Sequence, residues 1–112
     1  MSRLLVTALG MVVALAVGST ALAQTAVEKG MKVYTEQKCS LCHSIAGKGN
    51  VKGSLDGVAT KLKEAEIREW IVDPKGMTTK MKAERKPAMK AYPNLAKEDV
   101  DALVAYMMTL KK

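Results

Sequence analysis

Two cysteines and a histidine, in the order Cys-Ser-Leu-Cys-His from Cys39 to His43, constrain this chain most, because it holds no other cysteine and no other histidine. Whatever chemistry these side chains perform, they perform as one group. Four kinds of site use such residues. A disulfide between Cys39 and Cys42 would close a very short loop, which restricts the unfolded chain least and leaves His43 without a role. A thiol–disulfide exchange pair needs C-x-x-C in a strand-then-helix setting, whereas this motif follows a helical pattern and precedes a glycine-rich stretch. A zinc site needs four ligands, usually Cys and His; three are at hand, so carboxylates would have to complete the set. The fourth reading is covalent haem attachment, for which C-x-x-C-H is the signature. Thiols at this spacing add to the two vinyl groups on one edge of a porphyrin, and the next residue then lies under the iron as its proximal imidazole. Only that reading gives every residue of the motif a task.

The first 23 residues carry one positive charge at Arg3, an apolar run from Leu4 to Val17 and the small-x-small triplet Ala21-Leu22-Ala23. This is the layout of a secretory signal peptide cleaved after Ala23. The length also approaches that of a membrane anchor, but polar Ser19 and Thr20 and the small-residue end favour cleavage. Export and motif support each other, since haem is attached to such motifs outside the cytoplasm, where free thiols would otherwise be oxidised. The expected mature chain, Gln24 to Lys112, is one small domain in the periplasm, with no stable membrane insertion once the signal is removed. So short a chain hides a small share of its surface, and with no Phe, one Trp and three Tyr its core lacks large side chains. A porphyrin at the centre would supply the missing bulk. The net charge of +7, lowered by one when Arg3 is removed, favours solubility and acidic partners. Nucleic acid is not the expected partner, because the lysines are scattered and few aromatic residues could stack on bases.

Hydrophobic spacing predicts an all-α chain. Ala26 to about Gln37 reads as a helix, with Val27, Met31 and Tyr34 at i, i+4 and i+7 and Gly30 on the same face. Ser44 to Gly57 is glycine-rich and reads as a loop. A short helix from Ala59 or Lys63 to Val72 groups Ile67, Trp70 and Ile71, and Pro74 is expected to stop it. Lys75 to Pro93 is rich in lysine and holds Met77, Met81 and Met89, with Pro87 and Pro93 breaking any long helix. From Lys97 to Leu110, Val100, Leu103, Val104, Met107 and Leu110 recur at helical spacing, with acids in the first turn and Lys111 and Lys112 at the end, as the helix dipole favours. No alternating strand pattern, internal repeat or second domain is visible.

These features together resemble the monohaem class I c-type cytochromes, over nearly the whole expected mature chain. In that family a first helix carries a glycine and, four positions on, an aromatic residue ahead of C-x-x-C-H; Gly30 and Tyr34 match. A last helix crosses the first at that glycine through a leucine and a tyrosine; Leu103 and Tyr106 match, and a glycine allows such close approach. The resemblance therefore implies crossing N- and C-terminal helices around one haem c, attached through Cys39 and Cys42 and ligated by His43. "REWIVDPKGM" resembles the family's tryptophan helix, which would put Trp70 beside the haem with its N–H towards a propionate, or else in plain core. Of the methionines, "MKAYPNLAKEDV" matches the segment that carries the family's sixth ligand and points to Met89, with Met81 and then Met77 as alternatives. Two departures stand out. The family's Gly-Pro-x-Leu turn is Gly53-Ser54-Leu55 here, leaving the Ser54 carbonyl to accept from His43 Nδ1, and Lys90 follows Met89 where proline is usual, which loosens the loop.

A His/Met-ligated iron leaves no open position, and the chain offers no set of residues for acid–base or nucleophilic work. The expected function is that of a periplasmic one-electron carrier, not an enzyme, working as a monomer with redox proteins. Lys38, Lys48, Lys80, Lys82, Lys86 and Lys90 flank the motif and the methionine loop, and such a rim would steer acidic partners or simply favour solubility. The alternative is a haem sensor or small-ligand-binding protein with a labile methionine.

Overall fold

The structure, a computed structural model, describes Gly10 and residues 18–112. The expected signal peptide at residues 1–23 therefore lies outside the described residues, apart from Gly10 and 18–23. Among the described residues, no helix is long and apolar enough to cross a membrane.

Helix α1 spans Gly18–Glu36 and so starts well before Ala26. Ala21 to Thr25 are all exposed, and local propensity suffices there, since Ala21, Ala23 and Ala26 are the best of helix formers. The helix ends where Gln37 N donates to Val33 O (2.9 Å) and Lys38 turns left-handed at φ 56. Its buried positions are Gly30 and Val33, with Ala26, Val27 and Tyr34 half-buried. Met31, expected on that face, is instead 49% exposed. One residue is about 100° of helix at 3.6 residues per turn, so a contact centred on Gly30 turns its neighbour Met31 towards solvent.

That contact is the crossing of α1 with α5, Lys97–Met107. A Cβ on Gly30 would fall on Ala102 O and Tyr106 Cβ, so the two backbones touch where the glycine is. The Tyr34 and Tyr106 rings extend the contact, with centroids 5.9 Å apart. Helix α3, Glu64–Val72, packs on α5 through Ile67 and Ile71, and these join Val33, Val100, Leu103, Val104 and Met107 in one core. Its start is fixed by Lys63 N donating to Glu66 Oε1 (2.9 Å), the return half of a capping box. Helix α2, Val58–Lys61, is a single turn ahead of it.

Two elements depart from the sequence expectation. Pro74 ends α3 but also begins a new helix, α4, Pro74–Lys80, with Asp73 Oδ1 accepting from Gly76 N at 3.0 Å. Proline suits the first helical position, where its missing N–H has no intrahelical partner to lose. In the stretch expected to be loop, Ser44–Ile45 (β1) pairs antiparallel with Lys48–Gly49 (β2). Ala46 (φ 52) and Gly47 (φ 79) make the connection, a left-handed pair that suits a two-residue hairpin turn.

Candidate functional site

Cys39 opens a short 3-10 turn, Cys39–Leu41, directly after α1. Cys42 N and His43 N both donate to Cys39 O, at 3.1 and 3.0 Å, so the motif is wound on one carbonyl. Both thiols are free; Cys39 is half-buried and Cys42 exposed. Burial pushes the Cys39 thiol up, and the neighbouring Tyr92 hydroxyl and Lys90 ammonium oppose it. Among the described residues no group of three or more Cys, His, Asp and Glu side chains could hold a metal ion, so the carboxylates a zinc site would require are not gathered around the motif.

His43 is half-buried, with Nδ1 2.9 Å from the carbonyl of Gly53. A carbonyl only accepts, so Nδ1 carries the proton and Nε2 keeps its lone pair. Burial lowers the His43 pKa, and the Gly53 bond opposes that while Arg85 adds to it; the neutral imidazole is the form that binds metals. The expected acceptor, Ser54, is corrected by one residue. Its own carbonyl does not take this bond, and its hydroxyl accepts from Asp56 N at 3.2 Å. Leu55 N donates to Ser44 O at 2.8 Å, and this pairing beside β1 fixes the turn so that Gly53 faces the imidazole.

One cavity of about 450 Å³, in the size range of ligand pockets, collects most of the remaining candidates. Cys39, His43, Trp70, Met81 and Met89 all line it, among aliphatic walls contributed by α2, α3 and α5. Cys42 and Ser54 do not line it, and neither does Met77, which is 2% exposed in the interior. Met77 thus lies apart from the cavity lining, while Met81 (45% exposed) and the less exposed Met89 both line it. The residues fit a haem: two thiols on one turn, one imidazole with a free Nε2, a soft thioether donor within the same cavity, and apolar walls. His/Met is an established haem ligand set in proteins of this chemistry.

Spacing alone does not single out Gly53, Tyr92 or Arg85. Tyr92 occupies the place expected of a phenylalanine, and it lines the cavity with Cys39. Arg85 sits among lysines of the same charge, but it lines the cavity and its Nη2 donates to Cys42 O at 2.7 Å. The Tyr34 hydroxyl is buried without a hydrogen-bond partner among the described residues, and burial is the main reason its pKa is pushed up to about 12.

Comparison with known proteins identifies what the chain as a whole is similar to. A stretch of 97 residues is 29% identical to cytochrome c oxidase subunit 2 of Alkalihalophilus pseudofirmus, covering 79% of this chain and 27% of that protein. The chain therefore spans about a quarter of that relative's length. No solved structure gives a significant match. The family model described as Cytochrome c matches residues 27–111, which takes in the C-x-x-C-H turn, the cavity and both crossing helices, and the chain belongs to the cytochrome c family, whose members bind haem c covalently and use it in electron transfer.

Proposed function

We propose that this chain is an exported, periplasmic one-electron carrier holding one haem c through Cys39 and Cys42, with His43 and Met89 as axial ligands. The observation that carries this reading is that His43, its Nδ1 tied to Gly53, lines one cavity together with Met81 and Met89. Bound haem supplies a one-electron iron couple. The chain's part is to hold the imidazole in one tautomer through Gly53, to offer a soft sulfur ligand that favours reduced iron, and to keep water from the cavity with aliphatic walls. A visible spectrum with redox titration tests the reading: low-spin haem with the weak red-edge band of a methionine–iron bond supports it. High-spin haem, or prompt carbon monoxide binding to the reduced protein, would favour the sensor reading instead. That second reading has one observation in its favour. Among the described residues, no backbone amide from 84 to 94 donates to another backbone group, so the methionine loop is lightly held.

The ligand choice is tested by Met89→His and Met81→His, made separately. The Met89 change is expected to remove the methionine band and lower the potential by on the order of 0.1 V, a fraction of the ~0.8 V that axial ligands span. The Met81 change should leave both near their original values. The reverse pattern would transfer the ligand role to Met81.

The lysines provide a second test. Lys38, Lys48, Lys82, Lys86 and Lys90 are exposed, while Lys80 is occupied with Glu69 at 3.5 Å. We infer that they draw acidic redox partners to the cavity mouth. Oxidation of the reduced protein by anionic hexacyanoferrate(III) is expected to slow several-fold between about 0.01 and 1 M salt, as the screening length falls from ~30 to ~3 Å. A rate indifferent to salt would leave these lysines a solubility role alone.

A further inference from the structure

The loop that brings Met81 and Met89 to the cavity has few ties to the rest of the molecule. After Ala83 N, which donates to Thr78 O at 3.0 Å, the next backbone donor is Leu95 N, which bonds only within the loop's end, to Tyr92 O. Between those points one side chain reaches across in a hydrogen bond, Arg85 to Cys42 O, while Tyr92 lines the cavity with Cys39. The Arg85 guanidinium also lies against Gly53: a Cβ there would fall on its Nη1 and Cζ, and on Cys42 O. Gly53 is the residue whose carbonyl holds His43 Nδ1. One side chain from the methionine loop is therefore packed on both fixed points of the imidazole's support, the carbonyl just before His43 and the glycine that orients it.

We propose that Arg85 is a positioning residue that straps the methionine loop to the Cys39–His43 turn and keeps a fixed positive charge beside the proximal imidazole. The proposal builds on the His/Met reading above, but its test separates the two. The strap slows loss of the methionine by preventing the loop from lifting away. The charge disfavours the oxidised iron, which carries one more positive charge than the reduced form, and so raises the potential. Arginine suits both parts, because its planar fork can lie flat on a glycine while donating to a carbonyl, which a lysine ammonium cannot imitate.

The experiment compares the haem-loaded wild-type protein with Arg85→Lys and Arg85→Gln, reading the rate at which cyanide replaces the methionine in the ferric protein, the reduction potential and the urea midpoint. Arg85→Gln is expected to take up cyanide about tenfold faster, the scale set by one lost hydrogen bond from a charged donor, and to show a lower potential. Arg85→Lys should keep the potential near the wild-type value while still admitting cyanide faster, which separates charge from strap. If Arg85→Gln lowers the urea midpoint but leaves cyanide uptake within twofold and the potential unchanged, Arg85 is a stabilising contact only and the proposal fails. If wild-type protein lacks the methionine band, the His/Met reading fails instead, and the Arg85 variants then have no ligand exchange to control, which overturns the strap as well.

Discussion

Gly30→Ala is expected to destabilise the protein by up to about 2 kcal/mol, read as a lowered urea midpoint. Two opposing effects set the sign. Alanine is a better helix residue than glycine by roughly 1 kcal/mol, which alone would stabilise α1. The added Cβ, however, would fall on the Ala102 carbonyl and Tyr106 Cβ. Overpacking costs about 1–3 kcal/mol, occasionally more, and here one of the struck atoms is backbone, so no rotamer change relieves it. Helix α5 must back away from α1, which loosens Val33 against Val104 and Leu103, all buried in the same core, and spreads the Tyr34–Tyr106 pair. Against a total stability of about 5–15 kcal/mol, that is a severe loss. Met31→Ala, one residue along but exposed, should change the midpoint little. An unchanged midpoint for Gly30→Ala would mean the helices do not touch where the glycine lies.

The elements legible in the sequence are those with enough turns to show a period. In α5 the spacing selects Val100, Leu103, Val104 and Met107, all buried, but misses buried Ala102 and adds Leu110, which lies past the helix end, and α3 likewise buries Ile67 and Ile71. Helix α4 escapes because proline carries two meanings, a stop for the helix before it and a favoured start for the helix after it, and only the Asp73 cap distinguishes them. A two-residue strand pair has no period at all. The Gly30 crossing and the gathering of Cys39, His43 and Trp70 follow from the resemblance, as does the arrival of a loop methionine; which methionine ligates depends on side-chain placement that spacing does not encode. The Gly53 bond lies one residue from the expected acceptor because Gly53 closes a short 3-10 turn, Val51–Gly53, and Ser54 leaves it at φ −55 and ψ 130, a change of backbone direction that the residue types do not encode. Arg85 is harder still: its partner Cys42 lies 43 positions away, and its charge is common to every neighbouring lysine in that stretch.

Cys39→Ser with Cys42→Ser is expected to abolish covalent haem and, with it, most of the helical fold. The cavity gives the scale. Empty apolar space costs roughly 24 cal/mol per Å³ in packed cores, so about 450 Å³ left unfilled would cost on the order of 10 kcal/mol. Because the cavity is open on one side that figure is an upper one, yet it matches the whole stability of a small domain. A chain with this architecture therefore depends on the group that fills it, and a porphyrin does so with one rigid body. Without thioethers, the proposed ligation leaves the group held only by His43 and one methionine, and the methionine lets go whenever the lightly tied loop opens. The double variant should lose the haem stain of the denatured protein and most of its far-ultraviolet helix signal. The single variants should differ from it and from each other. Cys39 lines the cavity together with Tyr92, whereas Cys42 sits exposed at the turn's outer edge, its carbonyl held by Arg85. Either single change leaves one thioether and one free vinyl, which moves the absorption bands to the red. Cys39→Ser should lose more stability, since Cys39 lines the cavity and Cys42 does not. A double variant that stays helical without haem would show that the aliphatic walls can close on themselves, and that the fold does not need the group its cavity is shaped to hold.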